Sequence, residues 1–210
     1  MKQSCLVGGL AAAVFAGSAD AAVIFSLADT SDALFTHSSS GGSPSPIPAA
    51  GSQSVGNGTF SWGDLATDGG GNTAEFASGA FTSGDFGGVG TFTSLTLDVS
   101  AFTEVDIDAV YDGRFNTASE FSNFFYVLDG TEVVFGEGVE DATADDVAVS
   151  IVDLDVTGAS TLVVGFTFNH NGGSDFFNVD SLVVDAIPEP GSLVLMGLGS
   201  LLIASRRRKA

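Results

Sequence analysis

Glu104-Val105-Asp106-Ile107-Asp108-Ala109-Val110-Tyr111 decides the fold. Val105, Ile107, Ala109 and Tyr111 fall on one side of an extended chain, and Glu104, Asp106 and Asp108 on the other. A period of two describes a strand with one wet and one buried face; a helix would repeat near 3.6. Asp112-Gly113 closes it as a turn.

The same pattern extends outward in both directions. Downstream, Phe124–Leu128 and Thr131–Phe135 are apolar runs joined by Asp129-Gly130, the dipeptide of a tight hairpin. Val147–Val156 alternates with Val147, Val149 and Ile151 inward, and Leu162, Val164, Phe166 and Phe168 form the next inward face. Phe176–Ala186 reads as the final strand. Upstream, Val23–Leu27, Thr59–Trp62, Thr73–Phe81 and Thr91–Val99 have strand composition. Ser38–Gly58, with Pro44, Pro46 and Pro48, lacks apolar content and is expected to be a loop or linker. No stretch between Val23 and Ala186 keeps helical periodicity over a helix length. Eight to ten short strands predict an all-β chain, a single antiparallel β-sandwich over 23–186, jelly-roll-like rather than immunoglobulin-like.

Both ends are of a different kind. Met1-Lys2, the apolar Leu6–Ala16 and the small-residue site Ala19-Asp20-Ala21 make residues 1–22 a secretory signal peptide, cut after Ala21 or Ala22. Residues 187–210 open with Pro188-Glu189-Pro190, continue as an apolar stretch over 191–204, and end in Arg206-Arg207-Arg208-Lys209. The apolar stretch is shorter than the ~20 residues of an ordinary membrane span, and the charge beyond it keeps the tail cytoplasmic. It is expected to form a short hydrophobic sorting helix that anchors the chain while it is cut.

Charge then narrows the function. Of 6 basic residues, Lys2, Arg206, Arg207, Arg208 and Lys209 lie in the ends, leaving Arg114 alone in the domain. Of 26 acids only Asp20 and Glu189 lie there, so 24 remain. Such a polyanion is no electrostatic partner for nucleic acid; it suits cations, cationic polymers or solubility outside the cell. Cys5, the one cysteine, leaves with the signal peptide, which excludes disulfides and thiolate chemistry. Eighteen phenylalanines supply bulk for a core without staples.

The ordered Pro188-Glu189-Pro190, apolar run and Arg206–Arg208 resemble the PEP-CTERM sorting signal of Gram-negative exported proteins. The resemblance implies recognition by an exosortase, a membrane transpeptidase-like enzyme, after Sec export, with cleavage near Pro188-Glu189-Pro190. It also implies transient inner-membrane anchoring, display at the cell surface or in the extracellular matrix, and association with exopolysaccharide and biofilm. Asp129-Gly130 after an aromatic strand, and Phe177-Asn178-Val179-Asp180-Ser181-Leu182-Val183-Val184, resemble exported jelly-roll domains of the carbohydrate-binding type.

Three kinds of chemistry are open to these residues. Calcium takes oxygen ligands on irregular loops. Glu137, Glu140, Asp141, Asp145 and Asp146 crowd one inter-strand loop and are either a calcium site or a solvated acidic loop. Asp153-Leu154-Asp155-Val156-Thr157-Gly158 starts like a calcium loop, but Val164 stands where the bidentate glutamate belongs; alternation reads Asp153 and Asp155 as the wet face of a strand. Acid–base catalysis has little to work with: His37 at the edge of the low-complexity loop and His170 in Asn169-His170-Asn171-Gly172 both read as exposed loop residues. No G-x-S-x-G elbow occurs. The expectation is therefore a non-enzymatic protein, with a secreted hydrolase ranked last. Trp62, Tyr111, Arg114 and Tyr126 are the pieces available for a sugar site, although core is the expected home of Trp62 and Tyr111, and Arg114 is expected to pair with Asp112 or Glu120. Asn57-Gly58-Thr59 matches a glycosylation sequon too short to carry weight.

Overall fold

Two antiparallel sheets put their phenylalanines face to face in a computed structural model that describes residues 21–38, 51–63, 71–84, 88–115, 120–137, 143–170 and 175–188. The strands are β1 (Ala22–Ser26), β2 (Ala33–Ser38), β3 (Gly51–Ser54), β4 (Gly58–Gly63), β5 (Gly71–Ala77), β6 (Ala80–Gly84) and β7 (Gly88–Ser94). They continue as β8 (Leu97–Asp98), β9 (Phe102–Arg114), β10 (Phe121–Leu128), β11 (Thr131–Glu137), β12 (Thr143–Asp155), β13 (Thr161–His170) and β14 (Phe176–Pro188). A 3-10 turn, Leu27–Asp29, follows β1.

One sheet runs β12-β9-β14-β6-β5-β2, with β1 beside β14; the other runs β11-β10-β13-β7-β4-β3, with β8 beside β13. Inside these lie β6-β14-β9-β12 and β7-β13-β10-β11. Apart from the β10–β11 hairpin, chain-consecutive strands of this set alternate between the sheets, which is the jelly-roll order expected from the sequence. β5 and β2 extend the first sheet beyond β6, and β4 and β3 extend the second beyond β7.

The stretch that decides the fold sits in the middle of β9, with Val105, Ile107, Ala109 and Tyr111 all buried. Aromatic rings from both sheets interlock in the core. Phe81 on β6 lies 5.0 Å from Phe166 and 5.6 Å from Phe168 on β13, while Phe92 on β7 stacks on Phe166 at 5.3 Å. Such pairs add to the area they bury.

The expected hairpin at Asp129-Gly130 is present: Leu128 pairs with Thr131 across two residues at φ 46° and 84°. A second one, at Ser78-Gly79 (φ 53° and 86°), divides the expected single strand Thr73–Phe81 into β5 and β6. Both fit the turn whose two central residues have positive φ. The Ser38–Gly58 stretch needs correction. Its second half forms β3, paired residue for residue with β4, and Val55 is fully buried. Gly51–Ser54 is an edge strand with no inward apolar residue, so it left no pattern to read.

The ends of β2, β4, β6, β9, β11 and β13 and the starts of β3, β5, β7, β10, β12 and β14 lie at one pole of the sandwich. The register sets this: Arg114 meets Thr143 and Phe176, Gly84 meets Thr73 and Phe176, and His170 meets Gly88. Pro188 pairs with Phe102 at the opposite pole.

Candidate functional site

Burial alternation gives the two sheets very different outer faces. On the first, β9 turns Glu104, Asp106, Asp108 and Asp112 outward, β14 adds Asp180 and Asp185, and β12 adds Asp146, Asp153 and Asp155. On the second, the acids are confined to β11 (Glu132 and Glu137) and β8 (Asp98), and β3, β4, β7, β10 and β13 contain no Asp, Glu, Lys or Arg. Thr59, Ser61, Thr91, Thr93, Thr167 and Asn123 line the uncharged part of that face, and the hydroxyls of Thr91 and Thr167 lie 2.9 Å apart.

The acidic face is shaped by bulges. In β12 the register shifts between Ala144 and Val147 and again between Ile151 and Leu154. At each shift an aspartate takes positive φ, Asp146 at 50° and Asp153 at 57°. An extra residue inserted in one strand leaves its N–H without a ladder partner. Here a carboxylate of β9 accepts it: Asp146 N–H donates to Asp112 Oδ1 at 2.7 Å, and Asp153 N–H donates to Asp106 Oδ1 at 2.7 Å. β14 has its own register shift between Val179 and Ser181, at Asp180. The bulges beside Asp112 gather Asp112, Asp146 and Asp180, with one carboxylate oxygen from each lying within 4.8 Å of the others.

That trio is the candidate metal centre. Partial burial, followed by the charges of Asp112 and Asp146, pushes the Asp180 carboxyl above its ordinary range. Burial, then Asp106 and Asp185, does the same to Asp108. Three oxygens are fewer than calcium's usual six to eight, so water or a ligand would complete the shell. Of the residues expected to hold calcium, Asp146 is in the trio and Asp145 is exposed beside it on β12. Glu137 ends β11, and Glu140 and Asp141 lie outside the described residues. Asp112 and Asp180 were not expected as ligands. Asp153 and Asp155 are exposed on a strand, as alternation suggested, and Asp155 accepts the Thr157 N–H at 2.9 Å.

The aromatic pieces of a sugar site are in the core instead. Trp62, Tyr111 and Tyr126 are all buried. Trp62 packs 5.3 Å from Phe35, and Tyr111 lies 5.5 Å from Phe124. Arg114 is exposed at the end of β9, while Asp112, one of its expected partners, holds the Asp146 N–H. Asn57 of the sequon turns its amide inward, donating to the Ser26 carbonyl at 2.8 Å.

His170 is the clearest correction. It is the last residue of β13 and only 2% exposed, where an exposed loop residue was expected. The inward alternation of Phe166 and Phe168 simply continues to it. His37 lies within β2, its backbone paired with Asn72.

Of the processing residues, Ala21 precedes β1, Ala22 opens β1 opposite Ala186, and Pro188 closes β14. Ala19, Glu189, Pro190, Arg206, Arg207 and Arg208 lie outside the described residues, as does the apolar segment 191–204. Among the described residues no helix is long and apolar enough to cross a membrane.

Fold and charge thus define an acidic all-β sandwich. Residues 186–209 match the PEP-CTERM protein-sorting motif, so the chain carries the signal that its tail resembled. That motif marks an exported protein, transiently anchored in the membrane and processed by an exosortase. No curated protein matches the chain.

Solved structures with a similar strand layout include xylanase 10C from Cellvibrio japonicus in complex with xylopentaose, at 12% identity and TM-score 0.37, over 75% of this chain and 28% of that one. A family 29 carbohydrate-binding module matches at 8% identity and TM-score 0.33, over 74% of this chain and 91% of its own. A cleaved adhesin domain of Lys-gingipain matches at 14% and 0.33, over 72% and 97%. The chain spans little more than a quarter of the xylanase chain. At these identities and TM-scores the likeness says nothing of activity.

Proposed function

We propose that the mature chain is a non-enzymatic module, displayed at the cell surface or in the extracellular matrix, where it associates with exopolysaccharide in a biofilm. The sorting motif that begins where the last strand ends carries this reading. Segregation of charge supports it. The acidic sheet suits cations that bridge to anionic polymer, and the uncharged hydroxyl face suits neutral polymer. Exosortase cleavage near Pro188-Glu189-Pro190 frees the sandwich from the basic tail. The test is intact-mass analysis of the protein from its native host, together with fractionation of cells, matrix and medium. The expected mass lacks both ends, and the expected fraction is the matrix. A chain that retains Arg206–Lys209 overturns tail processing; a processed chain found only in the medium overturns the matrix role.

A second reading, a calcium- or carbohydrate-binding module, is favoured by the Asp112, Asp146 and Asp180 trio. A glycan array run with calcium and with chelator separates the two. Calcium-dependent capture of a defined glycan supports the module; no capture under either condition supports the general matrix role.

A further inference from the structure

Among the described residues, the buried ionisable side chains gather at one place. At the pole where β9, β11 and β13 end and β10, β12 and β14 begin, Glu120, Ser122 and His170 are buried to 1–2% exposure, as is Asp175 just before β14. Phe121 pairs with Asn169, so the register brings Glu120 on the approach to β10 opposite His170 on β13. Phe168 lies 5.2 Å from the imidazole, and Phe115, just past β9, meets it edge-on at 5.5 Å. Neither ring nitrogen has a hydrogen-bond partner among the described residues.

We propose that His170 and Glu120 form an acid-operated latch at this pole, in which the neutral imidazole, wedged between Phe115 and Phe168, holds the ends of β9, β10 and β13 together, and proton uptake drives them apart. A neutral ring fits among phenylalanines, whereas a charged one loses its hydration there. Burial pushes His170 down from its ordinary 6.5 to about 4, and the Glu120 charge opposes this only in part. The other ionisable groups at this pole, among the described residues, are Asp175 before β14, the exposed Arg114 on β9, Glu137 at the end of β11 and His37 near the end of β2; β7 brings only Gly88 opposite His170.

The sign is fixed. Between about 6.5 and about 4 the unfolded chain takes a proton that the folded chain refuses, so stability falls as pH falls. Asp108 and Asp180, with raised values, push the opposite way, because the folded form binds their protons more readily. Asp98, Asp129 and Asp155, with lowered values, lose stability only below their ordinary range. A loss that sets in between pH 6.5 and 5 and is absent from variants without the imidazole is therefore assigned to His170.

The test compares the full chain, kept in mild detergent, with His170→Phe and His170→Asn. Urea unfolding is followed from pH 7.5 to 4.5, and amide exchange over 113–122 and 166–177 at pH 7 and 5. The wild type is expected to lose roughly 30-fold in its folding equilibrium constant by pH 5, with faster exchange first at those segments. The variants are expected to lose far less. A wild type as flat as the variants, or exchange that rises uniformly over the sandwich, overturns the latch. If neither variant folds, an NMR titration of wild-type His170 decides: protonation near 6.5 in the folded chain overturns it, and protonation near 4 supports it.

Discussion

Replacing Asp180 by Asn should make the sandwich more stable, against the usual direction of point mutations. The perturbation removes one of three charges whose oxygens lie within 4.8 Å of one another and leaves the side chain's size unchanged. Two unit charges at that separation repel by ~0.9 kcal/mol in a medium as polar as water, and more where water is partly excluded. Asp180 takes part in two such pairs, so relief of ~1–2 kcal/mol is expected at low ionic strength. Its raised pKa, from partial burial and then from Asp112 and Asp146, has the same sign. A carboxyl that holds its proton more tightly when folded destabilises the neutral-pH fold, and that penalty disappears as pH falls through the carboxylate range.

The assay is urea unfolding of wild type and Asp180→Asn at pH 7.5, at about 10 mM and about 500 mM NaCl, each with chelator and with millimolar calcium. Salt at the higher concentration shortens the screening length to a few ångströms, so the advantage of Asn should shrink by more than half. If the trio holds calcium, the cation should stabilise the wild type and not the variant, by ~2.7 kcal/mol at a hundred times its dissociation constant. The reasoning is refuted if Asp180→Asn is neutral or destabilising in chelator at low salt, or if its gain does not depend on salt.

Two further outcomes test the packing that positions this face. Phe81→Ala should cost ~3–5 kcal/mol in urea unfolding, because Phe81 is fully buried against Phe60, Phe76, Phe166, Phe168 and Phe177; a loss below ~1.5 kcal/mol would show a looser core. Gly165→Ala should cost ~1–3 kcal/mol by overpacking, since its Cβ would collide with the Phe92 carbonyl oxygen and lie 2.7 Å from the Phe125 ring; an unchanged melting temperature would contradict the close approach of β13 to β7.

The sequence made β9 legible because strand pleat and burial act on it together: each inward residue is apolar and nearly every outward one polar. β3 was illegible for the opposite reason. Gly51–Ser54 gains its order from pairing with β4 and buries no apolar side chain of its own. His170 was misread because Asn169-His170-Asn171-Gly172 has turn composition, and the alternation from Phe166 outweighs it only once β13 is paired with β10. The trio lay beyond local reading altogether. Asp112, Asp146 and Asp180 belong to three strands, and only their register and two bulges bring them together. Acidic composition announced that such a cluster could form, but not which acids would meet.

The placement of charge also explains how a chain at net charge −20 sustains one core. Self-repulsion grows when like charges are close and poorly hydrated. Here most strand-borne acids are turned outward on a single sheet, where water and salt can screen them. Two of them, Asp112 and Asp106, also bind backbone N–H groups that the bulges of β12 free from the ladder. Part of the negative charge thus satisfies donors that would otherwise lack a partner. The remaining repulsion is concentrated around Asp180 and Asp108, the two outward acids whose protonation is favoured on that face. It follows that salt and divalent cations should act on this molecule through one sheet, and acid down to about pH 4 through the buried pole at His170. The two responses have opposite signs with falling pH and separate positions in the fold, so Asp180→Asn and His170→Phe should change stability additively. A coupling between them above ~0.5 kcal/mol would mean that the acidic face and the buried pole are not independent.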